Sequence, residues 1–339
     1  MMTVNKLDKR ENGVATAGNT TASTSYGKAA YRQYALMYFA GLLVIWNIAG
    51  QLFLGFEQSW LQQVVAVAAA CITQLLLEFV DAQAQKRALR YQESARAAVV
   101  FFLPAIISGL AVGMLLYTNR SLLPVIFASV LAIASKVLFR APVCSGTQHI
   151  FNPSNFGITC TLTLMPFVGL AAPYHFMENV SGIWTWLIPT IILLSGIFVH
   201  GAFTKRLPLV LAWLAGFVAQ AILRHFAFGI PLIVPLAPMT STAFLIFTLY
   251  MIPDPATTPI KPARQIAFGL AVAAVYCALQ VMHLFFGLFV ALLSISLLRG
   301  MILYGLAIFH IRKAKSSKNY DWQTNNKLDT LQADKSSRL

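Results

Sequence analysis

Apolar runs of roughly 17–25 residues follow one another from about residue 35 to about residue 310, and each can cross a hydrocarbon core about 30 Å thick as one helix. Nothing else in the chain constrains the fold so tightly. In lipid every backbone N–H and C=O must be bonded internally, which leaves helices and closed barrels as the only spanning structures. A barrel would need period-two alternation over about ten residues per strand, and these continuous runs do not alternate. We read ten spans, at about 35–55, 61–80, 98–117, 122–138, 155–172, 185–203, 207–225, 237–252, 265–283 and 286–309. The runs at 122–138 and 237–252 are short and suit half-helices or tilted pieces. The expected fold class is all-α: a polytopic helical membrane protein with about ten transmembrane helices. Five spans lie on each side of the chain's middle. An odd number per half inverts one half relative to the other, so the expectation is a 5+5 inverted repeat with broken helices and a site near the midplane. No residue-level repeat is visible, and the repeat rests on span count.

Charge placement fits a bilayer rather than a soluble partner. Only 11% of residues are charged, against about 25% in ordinary soluble domains. The net charge of +14 would suit nucleic acid, but its distribution excludes that partner. With a cytoplasmic N-terminus, all of the 25 Lys and Arg except Arg120, Arg224 and Arg299 fall on the cytoplasmic side. This positive-inside bias predicts an even number of spans with both termini cytoplasmic. It makes the lipid bilayer, including anionic lipid, the expected partner of the basic residues.

Residues 1–34 are rich in Ser, Thr, Gly, Ala and charge, which predicts a disordered cytoplasmic arm. The transmembrane domain then covers 35–310, and 311–339 is expected to be a mobile basic cytoplasmic tail. The 81–97 stretch continues the second helix or lies on the surface as an amphipathic helix. Residues 173–184 form the main outer loop. Cys71, Cys144, Cys160 and Cys277 show no paired spacing, so neither a disulfide nor a metal site is signalled.

Two proline-marked breaks interrupt the apolar chain: FNPSNFG at 151–157 and DPATTP at 254–259. Irregular backbone at membrane depth survives only where protein buries it or where it lines a cavity, so these breaks are the candidate site. Pro153 pushes Asn152 away from helical dihedrals, and Ser154 and Asn155 are good caps for a following helix. The free N–H groups of that helix's first turn, before and after Gly157, suit a carbonyl, carboxylate or phosphate. Asn152 and Asn155 add matched donors and acceptors, and Phe151 and Phe156 offer flat apolar surface. A planar polar ring such as a flavin would use that mixture; a helix cap with aromatic packing accounts for the same residues. In the second break, Pro255 and Pro259 interrupt the backbone around Asp254, Thr257 and Thr258. Asp254 can bind a cation, accept from a ring N–H, or pair with Lys261 or Arg264. A plain turn explains it equally well.

These residues carry a resemblance. HIFNPSNFGIT, followed about a hundred residues later by FLIFTLYMIPDPATTP, resembles the NqrB/RnfD family, whose members are membrane components of the sodium-pumping NADH:quinone reductase and of the Rnf complex. The stand-alone UnbU-type members, named from enediyne biosynthesis clusters, are closest in texture. The similarity covers most of 35–310. It implies a ten-helix inverted-repeat fold in the bacterial inner membrane, flavin binding, redox partner proteins, and electron movement that some members couple to ions. Flavinylated members carry a Ser-Gly-Ala-Thr sequence whose threonine holds flavin mononucleotide (FMN). Here the outer loop reads VSGIW at 180–184, and MTST at 239–242 also departs from the pattern. Covalent FMN is therefore not expected, and the cofactor implied is noncovalent riboflavin or FMN.

Arg299 is the costliest residue, since a charge at mid-span costs about 2.5–3.5 kcal/mol and calls for a partner. It is expected to face the bundle and bind a phosphate, a substrate anion, or a carboxylate such as Glu78 or Asp254. Carbonyls of a broken helix are the structural alternative. Glu78 and Asp81 are expected to pair with Lys86 or Arg87, with a proton or sodium path as the sharper reading. His200 and His310 at one edge, and His175, His225 and His283 at the other, admit a bis-histidine haem. The leading reading is an electron-carrying membrane subunit without catalytic residues or a metal of its own. Its cofactor residues are Phe151, Asn152, Pro153, Asn155, Phe156, Gly157, Asp254, Pro255, Thr257, Thr258 and Arg299. The alternative is a small-solute or ion transporter or channel of the same fold.

Overall fold

The computed structural model describes residues 33–34, 36–56, 58–143, 146–170, 180–284 and 286–336. Most of the 1–34 arm, Cys144 and the 171–179 part of the outer loop, with His175, lie outside the described residues. In chain order the helices are α1 (Leu36–Leu54), α2 (Trp60–Gln85) and α3 (Ala95–Leu115). A strand, β1 (Leu116–Tyr117), and a shorter helix, α4 (Leu123–Leu138), follow. The hairpin β2 (Arg140–Val143) and β3 (Gly146–His149) leads into α5 (Pro153–Leu164) and β4 (Gly169–Leu170). The second half holds α6 (Trp184–Thr204), α7 (Leu207–Phe228), α8 (Ile233–Met239), α9 (Phe244–Met251) and α10 (Pro262–Val281). The last helix, α11, runs Gly287–Ser336, past the apolar stretch and through the region composed like a tail.

Among the described residues, seven helices are long and apolar enough to cross a membrane: α1, α2, α3, α6, α7, α10 and α11 over Gly287–Lys313. The chain is thus a mostly helical, multi-pass membrane protein. Counting the bent α8–α9 pair as one span makes eight, where sequence predicts ten. The differences fall on three runs and have local causes. α4 has 16 residues, roughly 24 Å at 1.5 Å per residue. The run at 155–172 stops being helical at Leu164, the end of the 12-residue α5, because Pro166 drives Met165 out of helical dihedrals. After that break, β4 pairs with β1, which ties the end of α5 to the end of α3. The run at 237–252 bends by 68°. Pro235 and Pro238 remove helix donors there, and Ser241 starts a new helix by accepting from Phe244 N at 3.1 Å.

Other ends follow the same capping rules. Ser59 and Ser94 cap α2 and α3 through their hydroxyls, at 3.2 and 3.1 Å. Proline occupies the first turn of α4, α5, α7 and α10, where its missing N–H costs nothing. Both α1 and α6 finish in a π-helical turn followed by a left-handed residue, Gly55 and Lys205 respectively.

Two packed groups form the core. In one, α2 lies against α3 and α4, and α4 against α5; in the other, α10 packs along α7 and α11. Without a strong hydrophobic drive between helices in lipid, small residues at crossings let backbones approach. A Cβ at Gly157 would sit 2.1 Å from the Ala128 carbonyl oxygen, so α5 rides on the backbone of α4. Trp213, Phe217, Phe244 and Tyr276 form an aromatic cluster inside the second group, with Trp213 Nε1 donating to Thr248 Oγ1 at 3.0 Å.

Glu78, buried at the end of α2, pairs with Arg87 at 2.5 Å and accepts from Arg90 N at 3.0 Å. Asp81 joins the same guanidinium at 2.5 Å. These carboxylates hold Arg87 well above its ordinary pKa. Arg87 is therefore the partner, while Lys86 is the left-handed residue that ends the helix.

Candidate ligand site at the broken helices

The site is built on Asn152, whose two side-chain atoms serve two different helices. Its Oδ1 accepts from Asn155 N at 3.1 Å and from Ser154 Oγ at 2.9 Å, capping the N-terminus of α5. Its Nδ2 donates to the Met251 carbonyl at 3.2 Å, satisfying the C-terminal end of α9. The positive end of one helix dipole and the negative end of another thus meet across a single amide. The same Nδ2 lies 3.4 Å from Asp254 Oδ2, so the two proline-marked breaks form one junction.

Asp254 organises the turn beyond α9. Its Oδ1 accepts from Ala256 N at 2.9 Å and its Oδ2 from Thr257 Oγ1 at 3.3 Å. Its carbonyl accepts from Thr258 Oγ1 at 2.6 Å. Thr257 and Thr258 are buried and bond within the turn. Arg206 reaches in from the α6–α7 connection, with Nε donating to Thr258 Oγ1 at 3.0 Å. Burial lowers the Arg206 pKa, and the nearby Asp254 charge opposes that shift. Arg299 of α11 donates to the Thr257 carbonyl at 2.8 Å and to Gln148 Oε1 at 3.0 Å. Its hydrogen-bond partners are therefore a broken-helix carbonyl and an amide, not Glu78 or Asp254.

The other expected residues go elsewhere. Phe151 and Phe156 pack with Phe139 at centroid distances of 5.0–5.4 Å and do not line the cavity described below. Asn155 donates to the Phe289 carbonyl at 3.1 Å, which fastens α5 to α11, and Gly157 serves the α4 contact. Both ring nitrogens of His200 are engaged, Nδ1 with Thr204 Oγ1 at 2.8 Å and Nε2 with the Leu249 carbonyl. A haem iron would have to displace one of those bonds.

Asn152, Pro153, Asp254, Pro255 and Arg299 all line one cavity of about 2420 Å³. Its aromatic surface comes from Phe39 and Tyr250, stacked at 5.3 Å, with Phe203 and Phe268. Lys136, Gln148 and His200 also face it, and sequence reading did not nominate them for the site. Gln148 lies just upstream of the first break but outside its motif, His200 lies next to break residues only in space, and Lys136 entered the sequence argument only as one of the cytoplasmic charges. The junction presents an amide, a carboxylate and a guanidinium to one space, an arrangement suited to holding a polar ligand in orientation. No family model matches the chain, and no curated protein matches it.

Proposed function

We propose that this chain is a membrane electron-transport subunit that holds a flavin noncovalently, riboflavin or FMN, at the Asn152–Asp254 junction. One observation carries the reading: two breaks about a hundred residues apart join at one wall of a cavity far larger than the ~300–1,000 Å³ of common ligand pockets. A flavin's pyrimidine edge alternates donors and acceptors; Asp254 supplies acceptor oxygens, and Arg299 supplies N–H donors beyond the two it uses within the protein. Phe39 and Tyr250 are the apolar surface for the ring system. Support also comes from the resemblance of FNPSNFG and DPATTP to the Rnf and sodium-quinone-reductase membrane proteins. Electrons would come from redox partner proteins at the basic face.

The topology that goes with this function is ten crossings in two inverted halves of five, with both termini cytoplasmic in a bacterial inner membrane. α4 and α5 are then short crossings, and α8–α9 a broken one. The matched endings of α1 and α6, each a π-turn and a left-handed residue, favour two related halves.

The test is the visible spectrum of protein purified in mild detergent, followed by acid extraction. Yellow protein that releases near-stoichiometric flavin, with colour lost in Asp254→Ala, supports the relay. Colourless protein with intact folding defeats it. A second reading, solute transport, is favoured by the depth of the cavity, which reaches from exposed Lys261 to Leu115 at the far end of α3. Colourless protein that moves a solute in liposomes would establish that reading.

A further inference from the structure

The charge and shape of the cavity describe a ligand independently of any flavin. Six cations line it, Lys136, Arg140, Lys205, Lys261, Arg264 and Arg299, against one carboxylate, Asp254. Among the described residues none of the six forms an ion pair within 4 Å; such pairs all belong to Arg87 and Arg90. Gathering that much like charge beside low-dielectric walls raises the local potential and favours an anion. Arg140, Lys205, Lys261 and Arg264 are exposed at the rim, while Lys136 and Arg299 are half-buried deeper in.

Beyond the cations the wall turns apolar. α3 contributes Ile107, Ala111 and Leu115, and α1 contributes Leu43. The cavity follows α3 from Pro104 to Leu115 and α11 from Ile295 to His310, roughly 17 and 22 Å of helix at 1.5 Å per residue. Such a space is cationic at one end and oily along its depth. A small hydrophilic anion would leave the oily part wetted, and a neutral oil would leave the cations unanswered.

We infer that the cavity binds a phosphomonoester carried on an apolar body, with the phosphate among Arg140, Arg299 and the rim lysines and the body directed toward Leu115. A dianionic phosphate answers a six-to-one excess better than a carboxylate does, and guanidinium forks match its oxygens two at a time. Two sources share this chemistry: a soluble phosphorylated ring such as FMN, and a phosphorylated membrane lipid. The inference rests on the cavity and stands whether or not the flavin reading does.

The experiment uses the full chain in phosphatidylcholine nanodiscs, titrated with FMN and with riboflavin. A parallel native mass spectrum measures phosphatidic acid against phosphatidylcholine. The phosphomonoester member of at least one pair is expected to bind on the order of tenfold tighter. That preference should vanish in the R140Q/K261Q/R264Q variant, which alters exposed side chains only, and persist in K261R. Preference for FMN identifies the soluble source. Preference for phosphatidic acid without flavin binding identifies the lipid source and removes the flavin reading while this one stands. Equal binding of riboflavin and FMN, with no lipid preference, overturns the inference and leaves the flavin reading intact. Failure of both phosphomonoesters to bind, or a preference unchanged in the triple variant, also overturns it.

Discussion

Asn152 is the residue on which both broken helices depend, because one amide accepts at the start of α5 and donates to the end of α9. Substitution can separate the two halves of that role. Asn152→Ala removes a cap and a buried hydrogen bond, each about 1 kcal/mol, and should lower the melting temperature measured in detergent. Asn152→Asp keeps the acceptor but replaces the donor facing Met251 and brings a second carboxylate next to Asp254. It should melt no higher than Asn152→Ala; a wild-type melt would show that the donor half contributes nothing. Gly157→Ala is harsher. The added carbon would meet a backbone oxygen at 2.1 Å, so α5 must lift off α4. Overpacking of this kind costs about 1–3 kcal/mol, and the yield of monodisperse protein should fall with it. Arg299 takes its partners from the turn and the hairpin, so its burial is answered by a carbonyl and an amide rather than a countercharge.

Among the helices and turns, the end of α2 is fastened by one guanidinium shared between two carboxylates. Removing Glu78 leaves Arg87 with Asp81 alone and frees the Arg90 amide, so Glu78→Ala should destabilise by about 2 kcal/mol. Unchanged thermal stability would refute that. Seven of the ten runs read as spans are long apolar helices, and these were legible because length and apolarity are what a bilayer selects. The remaining three were harder because proline acts through geometry. Pro166 ends α5 twelve residues after it begins, and Ser241 restarts the chain after the 68° bend; apolar content registers neither. The junction was legible as two motifs because both break a helix. Which of their residues face the cavity was not. The phenylalanines of FNPSNFG looked like ring-stacking surface, yet they pack on Phe139, and Phe39 of α1 and Tyr250 of α9 line the space. Arg206 was one more basic edge residue until the fold buried it against Thr258.

For the protein in its bilayer, charge and cavity point the same way. The cavity rim carries Arg140, Lys205, Lys261 and Arg264, part of the positive charge that would face the cytoplasm in the proposed topology. A single cysteine at position 261 in a background with Cys71, Cys144, Cys160 and Cys277 replaced should react with an impermeant maleimide in inverted membrane vesicles and not in intact cells. Labelling in intact cells would reverse the proposed orientation. What the cavity holds decides the function, and the decisive assay is the flavin released by acid from the purified full chain, quantified per chain for wild type and Asp254→Ala. Near-stoichiometric flavin in the wild type and its loss in the variant are expected. Folded wild-type protein that releases no flavin, or a variant that retains it in full, would contradict the proposed function.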